Sequence, residues 1–383
     1  MQIIVAPDSF KGSMSAIEAA NSIEKGIKKV FKDAAIVKIP IADGGEGTVD
    51  AIIMGSNGTY KEINVTGPLG EKLPAKYGIL PDGSAVIEMA AASGITLVPR
   101  EKLNPMETTT YGTGELVKAA LDAGARKIVM GIGGSATNDG GMGLAQALGV
   151  VFKDQAGNVL GLGAKYLKSI HTIDASALDK RLQEVEFIVA CDVTNTLCGD
   201  QGASAVFGPQ KGATPEMVQE LDTALKHYAG VIKEQLKKDI LEVPGTGAAG
   251  GLGVPLLVFC KATLKSGIKT VLEAVNIDEY LKDTNLIITG EGKIDGQSVY
   301  GKVPVGVAEA AKPYNIPVIA IVGSIGVDAS KVYDYGIASI MSIMDHPMSL
   351  DQAIQSGKEL LEDSAERMML MLKAGMSITN TLK

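Results

Sequence analysis

The sequence predicts an α/β protein of two unlike domains, one of them doubly wound around a mostly parallel sheet. Three observations carry that expectation. Apolar strand-like runs alternate with amphipathic helical stretches over most of the chain, the pattern of βαβ units. Residues 59–89 break the pattern, alternating polar and apolar residues between Gly-Pro and Asp-Gly turns, as antiparallel strands do. The chain has 383 residues, 46% of them hydrophobic, enough for two domains that each bury a core.

In chain order, QIIVAPD reads as a first strand and SAIEAANSIEKGIKKVF as the helix that follows. AIVKIPIAD is a second strand, GGEG a glycine turn and TVDAIIMG a helix. The antiparallel stretch comes next. A short apolar run at 128–130 then leads into GIGGSATNDGG, and a helix-like stretch at 142–148 leads out. HYAGVIKEQLKKDILE is a charged helix. NLIITGEG, IPVIAIVGS and ASIMSIM read as buried parallel strands separated by helices. ERMMLMLKAGM ends the pattern as an amphipathic helix whose methionines are expected in the core. Both chain ends, residues 1–60 and 285–383, therefore build the doubly wound domain, and residues 61–284 form an inserted α/β domain with a mixed sheet.

Composition removes several classes of function. A net charge of −8 supplies no basic field for nucleic acid or an anionic membrane. No apolar stretch reaches the roughly 18 residues of a membrane span, and MQIIVAPDSFKG lacks a basic leader and a small-residue cleavage site. Cys191, Cys198 and Cys260 are odd in number and unpatterned, which argues against a disulfide framework and for a reducing cytoplasm. His171, His227 and His346 are scattered, leaving little material for a zinc site or a histidine triad. His346, in MDHPMS, reads as a surface turn.

The chemistry gathers at glycine-rich strand ends. A glycine loop between strand and helix aims free N–H groups outward and attracts anions. GIGGSATNDGG fits, with Ser135, Thr137 and Asn138 as further hydrogen-bond partners and Asp139 placed to reach a metal ion or a substrate hydroxyl. The same loop satisfies G-x-G-x-x-A through Gly131, Gly133 and Ala136, with Asp154 downstream, which leaves a dinucleotide-binding dehydrogenase open. Gly245, Gly247 and Gly250 repeat the spacing, but a charged helix precedes them, the wrong context. A nucleotide-binding sensor without chemistry would keep these loops as well. It would not need the acids at the other strand ends: Asp8, Ser9 and Lys11; Asp43, Glu46 and Thr48; Asp192, Thr194 and Asn195; Glu291, Lys293, Asp295 and Ser298. Phosphoryl transfer asks for that set, with lysine and backbone donors for phosphates, carboxylates for Mg²⁺ and an acid for the acceptor's proton. In FGPQKGA, Gln210 and Lys211 stand beside a Gly-Pro pair that reads as a turn, so a structural role is expected there.

APDSFKGSMSA, IPIADGGEGT, IGGSATNDGGMG, CDVTN, FGPQKGA, GTGAAGGLG and TGEGKIDGQS occur in order. With them the sequence closely resembles, end to end, the bacterial glycerate kinases of glycerate and glucarate catabolism. The resemblance implies transfer of the ATP γ-phosphoryl group to D-glycerate with Mg²⁺, the 2-hydroxyl favoured. It also implies two unlike α/β domains with the active site in the cleft between them, in a monomer or homodimer. On that basis Lys11 with Ser9 and Lys293 would hold the substrate carboxylate, and Gly133, Gly134, Ser135 and Thr137 the phosphate oxygens. Asp192 would orient or deprotonate the acceptor hydroxyl. Asp8, Asp43 and Asp295 compete for that role or for Mg²⁺, while Glu46, Asp139, Asn195 and Ser298 complete the expected binding set.

Overall fold

The computed structural model describes residues 1–42 and 44–381. The chain divides into two units, one made of Met1–Asp43, Asp50–Asn57 and Ile268–Lys383, the other of Gly44–Val49 and Gly58–Gly267. The last crossing lies at 267/268, where 284/285 was expected. The helices Gly267–Ala274 and Ile277–Leu281 account for the shift: Val275 closes on Gly55 and Ile268 on Gly306, all in the first unit.

In chain order the first unit opens with β1 (Gln2–Pro7) and β2 (Ala35–Lys38). The second unit carries β3 (Thr59–Thr66), β4 (Lys72–Ile79), β5 (Ala85–Glu88), β6 (Lys127–Gly131), β7 (Val151–Lys153), β8 (Thr172–Asp174), β9 (Glu186–Ala190) and β10 (Thr263–Lys265). The chain returns to the first unit as β11 (Leu286–Ile294), β12 (Val318–Ile325) and β13 (Ile337–Ser342).

The first unit's sheet is parallel throughout, in the order β13-β12-β11-β1-β2. The strand β2 is shorter than the nine-residue run expected, its regular pairing ending at Lys38. Ile39 and Ile41 still donate to Val5 and Pro7 O at 2.9 Å, and Pro40 between them is tolerated because its nitrogen faces the open side of this edge strand. Helix Ala16–Val30 starts at Ser15 with a capping box to Glu18 and turns Ala19, Ala20, Ile23 and Ile27 inward against Leu361, Ala365, Met368 and Met369 of helix Gly357–Thr381. Gly26 brings the two helices together, since a side chain there would collide with Glu362 O. The expectation that the C-terminal methionines are core holds for Met368 and Met369, whereas Met371 and Met376 are exposed: Met371 points away from the packed face, while Met376 is two turns beyond Met369 on that same face of helix Gly357–Thr381.

The second unit has the mixed sheet β10-β9-β6-β5-β4-β3, parallel from β10 to β5 and antiparallel from β5 to β3. Its antiparallel part is the stretch whose alternation marked it in the sequence. Inward residues of the sheet (Val65, Ile87, Ile128, Met130, Phe187, Val189) pack with Leu116, Val117 and Ala120 of helix Tyr111–Asp122. A second cluster forms around Phe152 and Tyr228, whose rings meet edge to face with centroids 5.9 Å apart. Helix Pro215–Leu236 carries Tyr228 and ends at Lys237, where φ is +58°. Cys191, Cys198 and Cys260 are free. Among the described residues no helix is long and apolar enough to cross a membrane.

Candidate functional site

The first unit's sheet reverses its winding between β1 and β11, and open α/β sheets leave ligand groups at the carboxyl ends of strands at such a point. Asp8 follows β1; its N–H donates to Gly290 O at 2.8 Å and its Oδ1 accepts from Ser9 N at 2.6 Å. Lys11 is exposed, and the Phe10–Lys11 backbone runs alongside Gly292 of β11. At the end of β11, Glu291 is buried. Its Oε1 accepts from Ser298 Oγ at 3.0 Å, and Lys302 Nζ stands 3.7 Å from Oε2. Burial pushes the Glu291 carboxyl up to about 7, against the pull of Lys302. Asp295 behaves oppositely. The Gln297 N–H at 3.0 Å, and then Lys293 at 3.1 Å, hold its carboxyl below the ordinary range. Ser298, fully buried, accepts from Asp295 N at 3.2 Å and so ties the two acids together.

In the second unit the parallel register delivers the ends of β5, β6, β9 and β10 to one edge. The segment Gly44–Val49 crosses there: Gly133 N donates to Gly44 O at 3.2 Å and Val49 N to Glu88 Oε1 at 2.6 Å. The crossing explains two of the loop's glycines, because a side chain at Gly131 or Gly133 would run into the Gly44–Gly45 backbone. Glu46 is exposed on this segment. Asp192, exposed at the end of β9, accepts from Gly267 N at 3.0 and 3.1 Å. Asn195 ties its own loop, donating from Nδ2 to Gln201 O at 2.7 Å and accepting through its carbonyl from Gly245 and Gly247 N.

Within the glycine loop, Gly134 is exposed with φ +74° and Ser135 is 8% exposed. The N–H groups of these two residues have no acceptor among the described residues. Behind them lies Lys211, 1% exposed, its Nζ donating to Ser135 Oγ and to Thr137 O, both at 2.7 Å. Burial pushes this lysine down to about 7, with Asp139 pulling it back up. Thr137 is fully buried, and its Oγ1, like Asn138 Oδ1, has no hydrogen-bond partner among the described residues. Asp139 does not reach a metal or a substrate hydroxyl as expected. It is 0% exposed, and its oxygens accept from Thr110 N and Oγ1 and from Gly141 and Gly143 N. Burial raises its carboxyl above the ordinary range despite these bonds.

The structure thus brings Asp8, Ser9 and Lys11 to the strand beside Lys293, Asp295 and Ser298 in the first unit. In the second, Gly133, Gly134, Ser135, Asp192, Asn195 and Glu46 lie on loops at one sheet edge. Asp43 lies outside the described residues. Sequence reading missed Lys302 and understated Lys211; only burial distinguishes Lys211 from a surface lysine, and only its place 3.7 Å from Glu291 Oε2 singles out Lys302, whose side chain is 38% exposed. Gly245, Gly247 and Gly250 are no dinucleotide fingerprint. Gly250 O accepts from Gly140 N at 3.0 Å, and the run packs against the first loop. Among the described residues no three of His, Cys, Asp or Glu group closely enough to hold a metal. Mg²⁺ is commonly held by one or two carboxylates plus phosphates and water, a requirement that Asp295 or Asp8 fits as a single donor.

Comparison with known proteins agrees with this architecture. The model of the glycerate kinase family matches residues 3–373. The chain is 51% identical over 377 residues to the glycerate 2-kinase of Escherichia coli K12, covering 98% of this chain and 99% of that one. It is 52% identical over 374 residues to the glycerate kinase of Bacillus subtilis 168, covering 97% and 98%. A crystal structure of a glycerate kinase 2 from Salmonella typhimurium LT2 aligns with a TM-score of 0.87 at 49% identity, over 98% of this chain and 99% of that chain. This chain belongs to the glycerate kinase family.

Proposed function

We propose that this chain transfers the γ-phosphoryl group of ATP to the 2-hydroxyl group of D-glycerate, with Mg²⁺ beside the phosphates. The observation that carries the reading is identity near one half, over almost the whole chain, to proteins named for this activity. The open N–H groups of Gly134 and Ser135 support it, since such donors suit phosphate or carboxylate oxygens.

On the second unit, Gly133, Gly134 and Ser135 take anionic oxygens, with Thr137 beneath them. Asp192 receives the proton of the acceptor hydroxyl; its hydrogen bonds with Gly267 N set its direction. On the first unit, Lys11 and Ser9, with Lys293, supply the cation and hydrogen-bond partners that a carboxylate needs. Asp295 and Asp8 are the Mg²⁺ donors, with Asp43 the third candidate from sequence; bound there, the ion would neutralise charge on the transferring group. The test is ADP release over a panel of small hydroxy acids, followed by ³¹P NMR of the product. D-glycerate is expected to turn over fastest and to give 2-phosphoglycerate. Binding of NADH with no ADP release would favour a dehydrogenase instead, and ATP binding without turnover a sensor.

A further inference from the structure

Lys211 has no part in the roles above. It ends the single helical turn Pro209–Lys211, which is followed by Gly212 at φ +93°, where a side chain would collide with Leu103 O. The turn drives the lysine under a loop 76 residues away in sequence. Burying an ammonium is costly, and a neutral donor would tie Ser135 Oγ and Thr137 O equally well. The charge therefore calls for a use. Because Ser135 Oγ accepts from Lys211 Nζ at 2.7 Å, its own hydroxyl proton points elsewhere, and it has no acceptor among the described residues. The N–H groups of Gly134 and Ser135 are open in the same way. Three donors on two adjacent residues thus stand at the end of β6 with a cation directly behind them.

We propose that Lys211 is a positioning residue for phosphoryl transfer: its ammonium group fixes and polarises Ser135, so that the Ser135 hydroxyl and the Gly134 and Ser135 N–H groups close on one anionic oxygen. That oxygen belongs to a phosphoryl group of the nucleotide or to the glycerate carboxylate, which share this chemistry. The inference rests on the kinase reading. A donor backed by a buried charge strengthens its hydrogen bond to an anion without presenting a lysine for water to solvate. Burial that pushes Lys211 down to about 7 leaves it ready to hold its proton when an anion arrives on Ser135.

Lys211→Met, Lys211→Gln, Ser135→Ala and the Lys211→Met/Ser135→Ala pair test this in the full-length protein. Calorimetry measures the Kd of a non-hydrolysable ATP analogue and of D-glycerate separately, alongside KM, kcat and Tm. Lys211→Met and Ser135→Ala are expected to weaken the same single ligand about tenfold, the size of one charge-assisted hydrogen bond. The other ligand should change less than about twofold, and the double variant should be no weaker than Ser135→Ala, because the charge acts through that hydroxyl. Weakened analogue binding assigns the phosphoryl oxygen; weakened D-glycerate binding assigns the carboxylate. Lys211→Gln keeps a donor and loses the charge, so it should resemble Lys211→Met, and it carries the comparison should Lys211→Met not fold. Wild-type affinity in Lys211→Gln would overturn the role of charge. A Lys211→Met protein that melts lower yet binds both ligands normally would make the lysine purely structural. Multiplicative losses in the double variant would separate Lys211 from Ser135. Wild-type binding of both ligands by Ser135→Ala would instead overturn the loop's reading itself.

Discussion

Asp139 and Asp192 are both aspartates in glycine-rich loops at the ends of parallel strands, and burial separates what they do. Asp139 is sealed in, holding Thr110, Gly141 and Gly143 N–H groups. Asp139→Ala would leave those donors buried and unpaired, at about 1–3 kcal/mol each before relaxation. The expected loss is about 3 kcal/mol or more in urea unfolding, and a loss under about 1 kcal/mol would contradict the assignment. Asp192 is exposed and keeps one oxygen for Gly267 N if changed to Asn. Asp192→Asn should therefore fold normally and lose about 10²–10⁴ in kcat, the usual worth of a positioned base; turnover within a few-fold of wild type would remove it from that role. Both residues were legible as acids at strand ends. What the sequence did not distinguish was which faces solvent, because exposure depends on Thr110, 29 residues away, and on the loop's exact turn. Lys211 was hidden for the same reason: its partner is 76 residues off, and a Gly-Pro turn looks alike whether its lysine points out or in.

Among elements, the two glycine-rich runs work as one. The dense glycines of GIGGSATNDGG had suggested close approach of a ligand, and Gly134 remains available for that. Gly131 and Gly133 instead admit the Gly44–Gly45 backbone, while Gly250 and Gly251 admit Thr137 O and the Cα of Gly140. Backbone on backbone is tighter than any side chain permits, and it fixes the loop that carries Ser135. Gly250→Ala should show this, since the position combines φ +69° with a collision against Thr137 O. Gly157→Ala is the control: φ is +87° there, but an added methyl group would meet no other part of the described residues within 4 Å. The control should lose about 1–2 kcal/mol from left-handed strain alone, and Gly250→Ala clearly more, with weakened ligand binding as well. Equal Tm shifts in the two would mean that the crossing carries no load. The alternation of strands and helices, and the antiparallel stretch at 59–89, were readable because periodicity is a local property. The excursion of Gly44–Val49 into the second unit was not, because a short glycine turn running into the start of a helix carries no period of its own.

At the scale of the whole molecule, each buried charge makes folding answer to pH. Lys211 takes up its proton near pH 10.5 in the unfolded chain but only near 7 when folded, chiefly through burial, with the Asp139 carboxylate opposing the shift. Between those values the unfolded chain holds more protons than the folded one, so the free energy of unfolding contributed by this group rises with pH. The contribution is complete above the unfolded value and is lost as pH falls through about 7. Other groups titrate across the same window, so the informative quantity is the difference between wild type and Lys211→Met, each unfolded in urea from pH 7 to 9.5. That difference should move steadily in favour of wild type as pH rises. A flat difference would mean that the folded protein keeps Lys211 protonated throughout, through a stronger pull from Asp139 or through water reaching Nζ. A saturating anion that occupies Ser135 would work in the same direction, holding the ammonium form and flattening the slope in wild type while leaving Lys211→Met unchanged. The pH dependence of stability thereby reports, without any turnover, whether the cation under the glycine loop responds to what the loop binds.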